Sequence, residues 1–207
     1  MPPDHFALLD EARRPWLEPE PLRDKFIRLS AQCHPDRVHD QGPAGRQQAA
    51  QRCTALNAAY QCLREPKERL AHLLELESGR KPAGLDQVPV DMMELFMTVG
   101  QLNRDLSRFL EGKAKVTSPL LKAQWFQEAL EWTERAQATL QALAARRNQL
   151  TERLRQLNDT WAAAPAVGQA GRETRLPLSE VEQSYRTLSF LTKWTAQLQE
   201  KLVQLTL

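Results

Sequence analysis

Residues 22–37 read Leu22-Arg23-Asp24-Lys25-Phe26-Ile27-Arg28-Leu29-Ser30-Ala31-Gln32-Cys33-His34-Pro35-Asp36-Arg37. Leu22, Phe26, Leu29 and Cys33 recur at the spacing of one face of a 3.6-residue helix, and Pro21 stands near its start, where a missing N–H costs no hydrogen bond. Pro35 has no backbone donor and disfavours helical dihedrals at His34. The helix should therefore stop there, with His34-Pro35-Asp36 in a stiff, extended turn. Downstream, residues 45–63 place Ala49, Cys53, Leu56, Tyr60 and Leu63 on a second apolar face. Antiparallel packing of the two stripes predicts a helical hairpin that presents the tripeptide at its open end.

The flanks fit that hairpin. Asp4 is a candidate cap for a short opening helix whose Phe6 and Leu9 point inward, and Pro15, Pro19 and Pro21 mark a loop before the hairpin. After Glu65-Pro66-Lys67, the run 69–77 supplies a further helix with Leu70, Leu73, Leu74 and Leu76. Gly79, Pro82, Gly84 and Pro89 then give linker chemistry, which predicts a first domain over 1–78, a linker over 79–89 and a second domain over 90–207.

The second domain reads as three long amphipathic helices over 90–111, 119–163 and 177–205. In the middle one, Phe126, Thr133, Leu140, Arg147 and Leu154 fall seven apart, interleaved with Ala129, Ala136, Leu143, Leu150, Leu157 and Trp161. In the last, Val181, Leu188, Thr195 and Leu202 repeat likewise, with Tyr185, Leu191, Leu198 and Leu205 between them. Such seams predict an antiparallel three-helix bundle. The Ala-, Gly- and Gln-rich connector over 164–176 reads as mobile. The predicted fold class is thus all-α: a helical hairpin with short flanking helices, followed by the bundle.

With 207 residues and a formal charge of +2 not gathered into any basic run, nucleic acid and membrane surfaces are poor candidates for the main partner. Cys33, Cys53 and Cys62 lack paired C-x-x-C spacing and read as small apolar core residues in a reducing compartment, neither zinc ligands nor disulfides. No metal or cofactor is expected. The first residues lack a signal-type apolar core and are too acidic for a mitochondrial presequence. The bacterial cytoplasm is the expected location, with a processed organellar protein of the mitochondrial matrix as the alternative. Four His and no paired-carboxylate or nucleophile constellation argue against an enzyme.

The hairpin and tripeptide resemble a J-domain, the module that stimulates ATP hydrolysis in DnaK-type chaperones. Together with the bundle, the whole resembles the HscB family of iron–sulfur co-chaperones. Four strings carry the resemblance: Asp4-His5-Phe6; His34-Pro35-Asp36; Leu56-Asn57-Ala58-Ala59-Tyr60 running into Pro66-Lys67-Glu68-Arg69-Leu70-Ala71-His72-Leu73-Leu74; and Tyr185-Arg186-Thr187-Leu188-Ser189-Phe190-Leu191. The resemblance implies that His34, Pro35 and Asp36 dock on the ATP-bound state of a DnaK/HscA-type chaperone. Arg23, Lys25 and Arg28, off the buried stripe, and Arg37 would steer the encounter. It also implies that the bundle holds an IscU-type iron–sulfur scaffold protein through Met92, Met93, Phe96, Met97 and Phe190, to which Trp194 is added here. Met93 and Met97 lie on a flank of the stripe Met92, Leu95, Phe96, Val99 and Leu102, and Phe190 with Trp194 forms a pair off the last seam. The family's acidic residues near Met97 and Gly100 are missing.

The plainer alternatives are that the cationic side chains form a solvated helix face, that Met92 and Phe96 are core, and that Met93, Met97 and Trp194 pack between domains. At the level of function, the rivals are a J-domain co-chaperone for a different client and a helical adaptor with a vestigial J-domain.

Overall fold

The structure, a computed structural model, describes residues 2–34, 42–82, 87–112 and 118–206. It is all-α, with no strand among the described residues. The helices are α1 (His5–Leu8), α2 (Pro19–Ser30), α3 (Gly42–Arg64), α4 (Pro66–Ser78), α5 (Met93–Gly112), α6 (Pro119–Ala163), α7 (Arg172–Arg175) and α8 (Leu178–Thr206). Short 3₁₀ turns over Ala31–Cys33 and Val90–Met92 extend α2 and precede α5. The chain divides into two compact units, Met1–Gly84 with Thr151–Tyr185, and Leu85–Leu150 with Arg186–Leu207. Residues of α6 and α8 therefore belong to both units.

In the first unit α1, α2 and α4 all pack on α3. The Asp4 carboxylate caps α1, accepting from the amides of Phe6 (3.0 Å) and Ala7 (3.2 Å) and pairing with Arg13 at 2.8 Å. Phe6 and Leu9 are fully buried, as their spacing predicts. Prolines at the first turns of α2 and α4 start both helices where their missing N–H has no intrahelical partner. Phe26 stacks on Tyr60 with ring centres 4.3 Å apart, which joins the stripes of α2 and α3. Gly79, at φ 69°, ends α4 in the left-handed region, where a side chain would be strained, and its amide returns to the Glu75 carbonyl.

Arg69 is the unit's unusual core residue. It is 2% exposed and donates to the carbonyls of Pro15 (2.9 Å) and Leu63 (2.7 Å), the latter in the last turn of α3. Its guanidinium lies over the Trp16 ring at 5.1 Å, and burial lowers its pKa to about 10. Carbonyl dipoles and an aromatic face hold this cation in place of a carboxylate.

The cysteines depart from the sequence reading. Cys33 and Cys53 are joined by a disulfide, with Cα atoms 5.8 Å apart. The cause is the hairpin itself, since antiparallel stripes bring the end of α2 level with the middle of α3. Cys62 is free and half-buried.

The connector over 164–176, read as mobile, is tied down within the same unit. Arg172, 8% exposed, makes a two-pronged bond to Glu77, 2.8 Å on each arm, and donates to the Pro165 carbonyl. Glycine-rich composition flagged the loop, while one buried arginine anchors it.

In the second unit α6 runs antiparallel to α5. Arg146 pairs with Asp91 at one end, and Trp125 and Trp132 pack on Phe109 at the other. Phe96 meets Trp194 and Ser107 meets Lys201, so α5 and α8 run parallel. The core holds Val99, Leu102, Leu106, Ala129, Ala136, Leu143, Leu191 and Leu198. Of the two interleaved rows predicted on α6, the row through Ala129, Ala136 and Leu143 faces inward. Phe126 is 61% exposed and Arg147 is exposed.

Candidate functional site

The first candidate surface is the turn after α2. His34 is exposed and adopts φ −64°, ψ 139°, the extended conformation that a following proline imposes. Pro35, Asp36 and Arg37 lie outside the described residues. Arg23 and Arg28 are exposed on α2, with no ion pair among the described residues. Lys25 differs from them: its ammonium is 2.8 Å from Glu11 and 2.7 Å from the Asp10 carbonyl, so it secures the loop after α1. Periodicity placed all three cations off the buried stripe but could not tell a structural lysine from two open arginines.

The second candidate surface lies in the second unit. Met93 is 46%, Phe96 40% and Met97 61% exposed, three large apolar side chains within two turns of α5. Met92, immediately before them, is fully buried. Phe190 and Trp194, expected off the core stripe, are 8% and 4% exposed and belong to the core of this unit. Their rings lie 5.5 Å apart, and Trp194 is 6.1 Å from Phe96. The correction has a packing cause: α8 buries Leu191, Trp194 and Leu198 on one stripe, and Phe190 lies beside Leu191 and Trp194 on that stripe's edge. Trp194 thus supports Phe96, and the accessible part is Met93, Phe96 and Met97.

Beside Phe96 a groove of about 470 Å³ runs between α5 and α8, with Gly100, Asn103, Lys193, Trp194 and Lys201 in its walls. Lys201 donates to Ser107 at 2.9 Å. A β-carbon at Gly100 would lie 3.5 Å from the Arg104 guanidinium, which is held by Gln101 at 2.7 Å. Glu200 joins Lys193 and Lys201 in these walls, and Glu94 is exposed on α5 between Met93 and Phe96, so the charge beside the apolar patch is mixed. The sequence reading missed Lys193 and Lys201, which lie about a hundred residues from Met97, because helix pairing alone sets them against α5.

No helix among the described residues is long and apolar enough to cross a membrane. No protein-family model matches the chain. It is 39% identical over 72 residues to the curated co-chaperone protein HscB homologs of Paraburkholderia phytofirmans and Paraburkholderia xenovorans. That stretch is 35% of this chain, and the chain spans about two fifths (41%) of the length of those curated relatives. Among solved structures, its fold matches the chaperone HscB from Vibrio cholerae with a TM-score of 0.55 and 21% identity, covering 98% of this chain and 99% of that one. It matches the human co-chaperone protein HscB with a TM-score of 0.61 and 16% identity, covering 97% and 82%.

Proposed function

We propose that this chain, a relative of the HscB co-chaperones with their fold, stimulates the ATPase of a DnaK/HscA-type chaperone and brings an IscU-type iron–sulfur scaffold protein to it. The observation that carries the reading is the turn out of α2. The helix ends where His34 becomes extended, directly before Pro35 and Asp36, within a hairpin packed as a J-domain requires.

The proposed mechanism is one of binding. His34, Pro35 and Asp36 contact the ATP-bound chaperone with Arg23, Arg28 and Arg37, and favour the state that hydrolyses ATP and closes on its client. Preference for one chaperone state suffices for this, and the chain contributes no bond-making chemistry. Met93, Phe96 and Met97 hold the scaffold, and carrying both sites on one chain raises the local concentration of client at the chaperone. The bacterial cytoplasm is the proposed location.

A steady-state ATPase assay with the chaperone tests the first half. Addition of the chain should raise turnover, and Asp36→Asn should abolish the increase; equal stimulation by the variant removes the J-domain mechanism. Titration with an IscU-type protein tests the second half. Absence of a complex would favour the other reading supported by a specific feature, a J-domain co-chaperone for a client suited to the polar groove of Lys193, Glu200 and Lys201.

A further inference from the structure

His5, at the start of α1, Cys62, in the last turn of α3, and His72, in the middle of α4, come together although 57 and 10 residues separate them in turn. Their ligand atoms all lie within 4.8 Å of one another. The two imidazole rings are 4.4 Å apart and inclined by 33°. His72 is 7% exposed, and the His5 Nδ1 atom is buried with no hydrogen-bond partner. Neither chaperone docking nor scaffold binding uses these three side chains.

From this convergence we infer a transition-metal site in the first unit, in which His5, Cys62 and His72 take a divalent ion of the zinc class. Two imidazoles and a thiolate are the donor set such ions prefer over hard cations, which require carboxylate and carbonyl oxygen. Tetrahedral coordination, with bonds of about 2.0 to 2.3 Å, needs donors roughly 3.5 Å apart, so closure of about one ångström by side-chain rotation completes the site. Three protein ligands leave a fourth position open to water or to another ligand.

Each donor has a definite adjustment to make. His5 offers the Nδ1 atom that now has no partner. His72 receives the His5 backbone N–H on Nε2 at 3.1 Å, and the ion takes over that lone pair, releasing the amide at the part-buried start of α1. Cys62 is a thiol, its pKa raised to about 11 by burial and by Glu68, so binding exchanges the Sγ–H proton for a metal–sulfur bond and releases one proton to solvent. The ion would join α1, α3 and α4 at one point. This assigns Cys62 a role that its reading as an apolar core residue did not.

The test is cobalt(II) titration of the full chain after chelator treatment. One equivalent should bind and produce a thiolate-to-cobalt charge-transfer band together with the visible bands of tetrahedral cobalt, and zinc should displace it. Cys62→Ser should abolish the charge-transfer band, and His5→Gln should weaken binding about tenfold or more. The double variant Cys33→Ser/Cys53→Ser should keep the band. Failure of the wild-type chain to bind one equivalent overturns the site, as does a band that persists in Cys62→Ser. Should His72→Gln lose its helical circular dichroism, His5→Gln and Cys62→Ser, both at half-buried positions, still decide the question.

Discussion

The Asn158 side chain binds both backbone groups of Trp16. Its Oδ1 accepts the Trp16 amide and its Nδ2 donates to the Trp16 carbonyl, each at 3.0 Å, across 142 residues of sequence. One amide side chain thereby does for the loop before α2 what a neighbouring strand would do. Around it, the Trp16 ring lies under the guanidinium groups of both Arg69 and Arg155, at 5.1 and 5.0 Å. The far end of α6 is in this way part of the first unit.

Replacing Asn158 by Ala leaves a part-buried amide and carbonyl unpaired and should cost about 2 kcal/mol of stability. Asn158→Asp keeps the acceptor but loses the donor, so it should fall between wild type and Ala. Urea unfolding followed by circular dichroism measures both, and wild-type stability in Asn158→Ala would show that water replaces the pair at no cost.

Glu77 and Arg172 form the second long-range tie of that unit, with side chains 3% and 10% exposed. Glu77 also faces Arg13 at 3.7 Å, so Glu77→Gln, which strands the enclosed Arg172, should destabilise by about 3 kcal/mol, and Arg172→Met, which leaves Glu77 that second cation, by less. The bidentate bond to Glu77 and its charge raise the Arg172 pKa. Combining Glu77→Gln with Arg172→Met removes both charges of the pair and should recover part of the loss. A double-mutant cycle measures that recovery, and simple additivity would mean that the two side chains act independently.

Burial lowers the pKa of both His5 and His72 below 6.5, and at His72 the neighbouring His5 adds to the effect. The folded chain therefore holds fewer protons on these groups than the unfolded chain does as pH falls through 6.5. Stability from these groups is fully present above that pH and declines below it, through the folded pKa values. In chelator-treated protein the urea midpoint should fall between about pH 7 and pH 5, and His72→Gln should flatten that decline. A profile unchanged by the variant would assign the acid sensitivity to other groups.

A reducing agent should lower stability by about 3 kcal/mol, the chain-entropy value for a closed loop of about 20 residues between Cys33 and Cys53. Cys33→Ser should give the same stability with and without reductant. A thiol count on unfolded protein purified without reductant should find one free cysteine, Cys62; three would mean that the pair is reduced in the cell.

Local rules made the frame legible. The proline rule alone gave an extended His34, and the short polar residue before a helical run gave the Asp4 cap. Every long helix was visible as a periodic stripe, because burial of one face leaves a 3.6-residue signature. Partners were harder to read, since a stripe marks the buried face without saying what covers it. Asn158 and Arg172 have no periodic signature, while Cys33 and Cys53 lie on stripes that mark their burial but not their pairing, and each depends on a contact formed only when distant helices meet. Lys25 and Phe190 were placed on the right helices, yet their neighbours decide that one is bound to Glu11 and the other is core.

The same distinction separates binding from support in the second unit. Met93 and Met97 are 46% and 61% exposed, so Met93→Lys and Met97→Lys place a charge on the patch without entering the core and should change folding stability by no more than about 0.5 kcal/mol. If this patch holds the scaffold, each change forces an ammonium against an apolar partner surface and should weaken the complex about tenfold or more. Trp194→Ala acts differently. It removes a 4% exposed indole from beneath Phe96 and should cost about 3 to 5 kcal/mol of stability, with weaker binding as a consequence of lost support. Isothermal titration with an IscU-type protein, paired with thermal unfolding of each variant, separates the two effects. Undiminished binding by both methionine variants would remove the α5 patch as the client surface and leave the groove of Lys193, Glu200 and Lys201 beside it as the next place to test.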